Sequence, residues 1–371
     1  MYNRFVGPKA CKTCPPIPML LRVSSNNGAT WGAETYPCPC PGVKQFQYDP
    51  VLKVASNGVV YATWMNKYDM VFSKSTNHGA TWTAPIEVSG APWGDKPWIG
   101  VSPDGVHVYI AYATSSDVWV GASHNSGSSF SAAVRLNNDT GRYRYPNGLE
   151  VLANGTAVLS ASDYPEGSQQ ASGAINIETW RTTNGGVSWT RTVLGQVFSG
   201  VNFETSSTTA LGGDSAGTLV ALYSGATTQG GNGHIWSRRS TDGGLTWAPA
   251  IELGNGTANA SFPAIAGGAA GQFRIHYGDD RTGAWNTFYR SSTDGGLTWS
   301  AEADISDADT GARTRPPQGS PRSTATTVRS TSRTLARPWR CGVRARASRR
   351  ARVASGSTGS CSQESRRSEK G

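Results

Sequence analysis

The stretch Ser240-Thr-Asp-Gly-Gly-Leu-Thr-Trp247 returns letter for letter at Ser292–Trp299. Eight identical positions, 52 residues apart, are beyond coincidence in a chain of 371 residues, so a repeat governs the fold. Four looser copies follow the same frame: SSNNGATW from Ser24, STNHGATW from Ser75, SHNSGSSF from Ser123 and TTNGGVSW from Thr182. Successive starts are 48 to 59 residues apart. The common pattern is Ser/Thr-x-Asp/Asn-x-Gly-x-Thr/Ser-aromatic.

Every position of that frame suits a tight turn. Asp and Asn accept hydrogen bonds from backbone N–H groups a few residues on. Gly at position five takes φ > 0 without steric cost, and the flanking hydroxyls bond to the turn locally. The closing aromatic offers a large apolar face that must be buried. Asn26, Asn77, Asn125 and Asn184 stand where Asp242 and Asp294 stand in the last two copies, so the acceptor oxygen matters and the charge does not. A structural role is therefore expected for all six, and neither a metal nor a catalytic one.

Short alternating runs surround each box, among them Met70-Val-Phe-Ser-Lys74, Val106-His-Val-Tyr-Ile-Ala-Tyr112 and Ile175-Asn-Ile-Glu-Thr-Trp180. Others open on proline: Pro50-Val-Leu-Lys-Val54, Pro97-Trp-Ile-Gly-Val101 and Pro263-Ala-Ile265. Four short strands per ~50 residues, Gly-rich turns and no helical periodicity describe the blades of an all-β propeller. The frame resembles the Asp box, or BNR repeat, of the sialidase superfamily, over roughly residues 8 to 312. The resemblance implies a six-bladed β-propeller with four antiparallel strands per blade. One blade is expected to be incomplete, since only about 15 residues separate Pro8 from the first box.

Three regions follow. Residues 1–41 form a Cys/Pro-rich entry segment with the first box, residues 8–312 the propeller, and residues 313–371 an Arg/Ser-rich tail. The chain carries a net charge of +9, but the tail alone has 14 Arg and one Lys against two acidic residues. The rest holds 19 basic and 23 acidic groups, a mildly acidic surface that argues against a nucleic-acid partner. The tail is too poor in large apolar residues to bury a core. It reads either as a basic arm or as the frameshifted end of a GC-rich reading frame that once encoded further strands. No run approaches the ~20 apolar residues of a membrane span, and no export signal stands at the start, although the family resembled is secreted. Cys11, Cys14, Cys38 and Cys40 suit disulfides, zinc through their C-x₂-C and C-x-C spacings, or free thiols.

On propellers, ligands sit at one end of the central channel, near the starts of the innermost strands. The residues ahead of each leading proline are thus site candidates: Asp49, Asp95, Lys96, Arg144, Tyr145 and Ser261. Loops after the second strands add Asp69, Asp163, Asp279, Asp280 and Arg281, and Glu204 holds a comparable place in the fourth repeat. Solvated loop charges are the plain alternative for each. The resemblance implies a tyrosine nucleophile assisted by a glutamate, an aspartate acid/base and an arginine clamp on a substrate carboxylate. Glu204, Arg281 and Tyr145 are the matching candidates here. The family's Arg-Ile-Pro motif is replaced by Pro16-Ile-Pro18, and its last tyrosine falls in the tail. The expectation is a sialidase-like glycoside hydrolase acting without cofactor on terminal acidic sugars, or a non-catalytic propeller that binds glycan or protein.

Overall fold

In all six copies the octapeptide closes through the same hydrogen bonds. The position-one hydroxyl donates to the position-three side-chain oxygen at 2.7–3.0 Å. That hydroxyl accepts the position-five N–H at 2.7–3.1 Å. The position-three oxygen accepts the position-seven N–H at 2.8–3.1 Å. Asn and Asp differ only in the last bond. The Asn amide donates to the position-seven hydroxyl, whereas that hydroxyl donates to the Asp carboxylate. The Thr298 hydroxyl and backbone N–H hold Asp294 down at about 2. Position four is left-handed as well as position five, with φ of 57–60° at Asn27, His78 and Ser126. The frame read from sequence had assigned that backbone demand to the glycine alone.

The computed structural model describes residues 1–3, 19–35, 47–88, 94–114, 117–139, 141–165, 173–200 and 207–306. These residues form no helix. Five four-stranded antiparallel sheets follow one another along the chain. Sheet I is β3 to β6 (Gln47–Val54, Val60–Asn66, Asp69–Ser75, Ile86–Glu87) and sheet II is β7 to β10 (Asp95–Val101, Val108–Ala113, Val118–Ser123, Val134–Arg135). Sheet III is β11 to β14 (Arg142–Val151, Ala157–Pro165, Ile175–Thr182, Thr190–Val197). Sheets IV and V are β15 to β18 (Thr209–Gly213, Leu219–Ala226, Gly233–Ser240, Ile251–Glu252) and β19 to β22 (Ala260–Gly267, Phe273–Asp279, Asn286–Ser292, Ala303–Asp304). The first strands of consecutive sheets pack side by side, β3 on β7, β7 on β11, β11 on β15 and β15 on β19, as in a β-propeller. Ahead of sheet I, the short pair β1 (Tyr2–Asn3) and β2 (Met19–Leu20) carries the first box. The four cysteines of the entry segment, Glu204 and the tail lie outside the described residues.

Apolar clusters fill each gap between neighbouring sheets. Tyr61 and Phe72 meet Ile99 and Ile110 between I and II; Tyr109 and Val120 meet Leu159 and Trp180 between II and III. Leu222 and Ile235 meet Phe273 and Phe288 between IV and V. The aromatic that closes each box lies in the gap ahead of its own sheet: Phe130, Trp189, Trp247 and Trp299 in this order, with Trp82 against Met19 and Trp64. Trp31 departs from the expected burial. Its box is formed, yet the ring is 60% exposed, because no described sheet stands against it.

The two kinds of tryptophan should respond differently to truncation. Trp189→Ala removes a ring packed among Tyr109 and its neighbours and is expected to cost about 3 kcal/mol. Trp31→Ala, at an exposed ring, should cost less than about 0.5 kcal/mol. Urea denaturation of the two variants measures both.

Candidate functional site

The innermost strands of sheets I, II and V share a distortion near their starting ends, and that of sheet III carries one mid-strand. Residues 49–50, 96–97 and 262–263 are bulged out of register with the second strand, and in sheet III residues 147–148 are. In three sheets the residue before proline is left-handed without being glycine: Asp49 at φ 50°, Lys96 at 54° and Phe262 at 57°. Such backbone costs of order 1–3 kcal/mol and collects at binding sites, as bulges do.

Asp49, Asp95 and Lys96 converge here. Lys96 Nζ reaches Asp49 Oδ2 at 2.9 Å, across from the neighbouring sheet, and Asp95 Oδ1 at 3.4 Å. Burial works against the lysine's charge, but the two carboxylates outweigh it and hold its pKa above the ordinary value. On the next inner strand, the Tyr143 hydroxyl donates to the Tyr145 oxygen at 2.7 Å, and Tyr145 packs edge-on against buried Tyr164. Burial raises the Tyr145 phenol first, the Tyr143 bond second, and the charge of Asp95 adds to both. It is a firmly protonated phenol and hence a hydrogen-bonding group. The mouth thus gathers two carboxylates, one ammonium and a tyrosine pair from the inner strands of three consecutive sheets.

Arg144 goes elsewhere. Its side chain is fully buried between sheets II and III, bonded to Asp139 at 2.6 and 2.8 Å and to Glu178 at 3.3 Å, with Asp163 at 3.5 Å. Arg191 also contacts Glu178, and Arg142 and Asn176 hold Asp163 from the side. Comparison of the sheets shows how the space arises. Four residues before each box, Val71, Trp119, Trp236 and Phe288 face Trp64, Tyr112, Tyr223 and Tyr277 on the second strand. Sheet III has Glu178 facing Ala161 instead. A small residue opposite a carboxylate leaves room for a guanidinium where the others pack aromatics. Desolvation, then the neighbouring Asp163, pushes Glu178 up to about 7.

The remaining candidates are scattered. Arg281 is bonded to Asp279 and Glu302 at 2.8–3.0 Å and lies over the Phe288 ring, all within sheet V. Asp280 clamps the loop of Asn259 through its backbone and amide. Asp69 opens β5 opposite Asn66, and Ser261 is buried beside Ser224. Neither Arg144 nor Arg281 therefore reaches the mouth with a free fork. Tyr143, Glu178, Arg191 and Phe262 were not singled out from sequence. For Glu178 a signal existed, because it is the one charged residue in a column that reads Leu20, Val71, Trp119, Glu178, Trp236, Phe288.

By sequence, no family model and no curated protein matches the chain. By backbone course, it is similar to a protein of unknown function from Dyadobacter fermentans, with 14% identity over 72% of this chain and 80% of that one and a TM-score of 0.49. It is similar also to an ulvan lyase of polysaccharide lyase family PL25 (12% identity, 74% of each chain, TM-score 0.47). An intramolecular trans-sialidase from Ruminococcus gnavus shares 12% identity over 71% of this chain and 83% of that one, with a TM-score of 0.46.

The buried cluster carries a sign. In the unfolded chain Glu178 titrates near the ordinary carboxyl value of 4.5, and in the fold at about 7, so the native state holds an extra proton in between. Stability is fully supported below the lower value and declines as pH rises through the upper one. Glu178→Gln is expected to flatten urea midpoints between pH 5 and 8. Arg144→Met, which strips the acids of their buried partner, should cost about 3 kcal/mol or more at pH 8.

Proposed function

We propose that the protein is a carbohydrate-active β-propeller whose ligand, a glycan, binds at the starting ends of β3, β7 and β11. One observation carries this reading: Asp49, Lys96, Asp95, Tyr143 and Tyr145 meet there, two of them on strained backbone. Sugars are recognised by many directional hydrogen bonds, and a rim of carboxylate, ammonium and phenol supplies donors and acceptors in quantity. Strain at that same rim has no return in folding and fits preorganisation for a ligand.

The finer form of the proposal is a sialidase-like glycoside hydrolase. Two carboxylates at one mouth, Asp49 and Asp95, suit general acid and base roles at a glycosidic bond, with Tyr145 beside them and Glu204 as the glutamate of the resemblance. A non-catalytic glycan binder is the second reading. It is favoured by Lys96, which bridges the two carboxylates and occupies them as hydrogen-bond acceptors, and by the engagement of Arg144 and Arg281 with other acids. The six-bladed architecture and an extracellular setting belong to the proposal as well. The sixth position would be the place of β2 and the first box, next to sheet I.

A glycan array probed with the full chain, followed by turnover assays on the glycans bound, tests both forms. Lys96→Ala and Tyr145→Phe should each weaken binding about tenfold, the scale of one charged or shared hydrogen bond lost at a semi-buried site. Turnover that disappears in Asp95→Asn identifies the hydrolase. Binding unchanged in all three variants would end the assignment of this mouth.

A further inference from the structure

We propose that Phe262 and Trp285 form a stacking platform for an uncharged pyranose ring of the glycan, an inference that rests on the glycan reading above. Phe262 occupies, in sheet V, the bulge position that Asp49 and Lys96 occupy in sheets I and II: left-handed, directly before proline, opposite the second strand's aromatic. Those two side chains reach each other over the mouth at 2.9 Å, which fixes the direction in which this position points. In sheet V the position carries an apolar ring that is 39% exposed. The chain there bears backbone strain and keeps a phenyl ring in water, and neither adds to the stability of the fold.

The ring is not loose. Trp285, in the turn after the second strand of the same sheet, stands edge-on to it, with centroids 5.9 Å apart and planes at 60°. Trp285 in turn lies over Gly278, where an added Cβ would come within 3.1 Å of the indole. Removal of one side chain from the strand is what lets the indole sit down and brace Phe262. A pyranose presents a face of weakly positive C–H groups, which suits the negative face of an aromatic ring. Its hydroxyls, directed sideways, would meet the polar rim.

Charge selects the class of sugar. At the mouth Asp49 and Asp95 outnumber Lys96, which is committed to both. The arginines that open sheet III and follow β20 are spent: Arg142 on Asp163, Arg144 on Asp139 and Glu178, Arg281 on Asp279 and Glu302. A carboxylated sugar would approach a net negative rim without a free guanidinium among the described residues of that end. A neutral hexopyranose pays no such penalty.

Titration calorimetry of the full chain separates the parts, with neutral galacto- and gluco-configured oligosaccharides against sialyllactose and a glucuronate oligosaccharide. Phe262→Asn is the chosen variant, since Asn tolerates the left-handed backbone and leaves the fold intact; its melting temperature is recorded alongside, and Phe262→Tyr serves as the conservative control. Neutral sugars bound by the wild type and by Phe262→Tyr, and about tenfold more weakly by Phe262→Asn, is the result expected. Equal binding of neutral sugars by Phe262→Asn overturns the platform and leaves the glycan reading in place. Binding of the acidic oligosaccharides alone overturns the uncharged class. Absence of binding to any of them removes the glycan reading and this inference together.

Discussion

The structure depends on how a tight turn satisfies its own backbone. Two consecutive left-handed residues turn the chain so sharply that several N–H groups lose their partners in the ladder. A serine or threonine hydroxyl and one Asn or Asp oxygen take them up, in six places, with nearly the same distances. With the turn closed locally, the aromatic at its end has a fixed exit direction. It enters the gap ahead of its own sheet, where it joins residues of the neighbour. The stacking of sheets is thus set by short-range bonding, and the long-range contacts inherit their register from it.

Because each sheet brings its own turn, one sheet can differ at its second strand or its inner-strand bulge without disturbing the others. Sheet III has done so. Exchange of a tyrosine or tryptophan for Ala161 and of an apolar residue for Glu178 replaced aromatic packing by an ion cluster built on a fully buried guanidinium. Buried ion pairs seldom add net stability over well-packed apolar groups, since desolvation offsets most of the attraction. What the cluster does supply is direction. Arg144 is held by three acids, so Tyr143 and Tyr145, which flank it on the strand, are turned to the opposite face and meet each other above the mouth.

Much of the fold was legible in the sequence because its signal is local. Box frame, alternating runs and glycine turns each lie within a dozen residues, and the observed strands fall on the quoted runs. The gathering of Asp49, Asp95, Lys96 and Tyr145 was legible too, through the proline that marks each bulge. The destinies of Arg144 and Arg281 were not. Both precede or follow strands in the expected places, yet which face a side chain takes depends on a register shift of one residue, and each also meets a distant acid, Glu178 34 positions from Arg144 and Glu302 21 from Arg281. Phe262 was passed over because an apolar residue beside a proline in a strand reads as core. Its exposure follows from a backbone angle that composition does not reveal. Trp31 failed the expected burial for the converse reason: the turn is local, but its cover has to come from another part of the chain.

Left-handed backbone ahead of the prolines has one more consequence. Bulge geometry there is imposed by the ladder on both sides, not by the side chain, for an acid, a base and an aromatic all accept it. The rim thus behaves like a row of interchangeable teeth on a rigid gear. Selection can rewrite the chemistry presented to a ligand one tooth at a time, and the wheel beneath need not be recast.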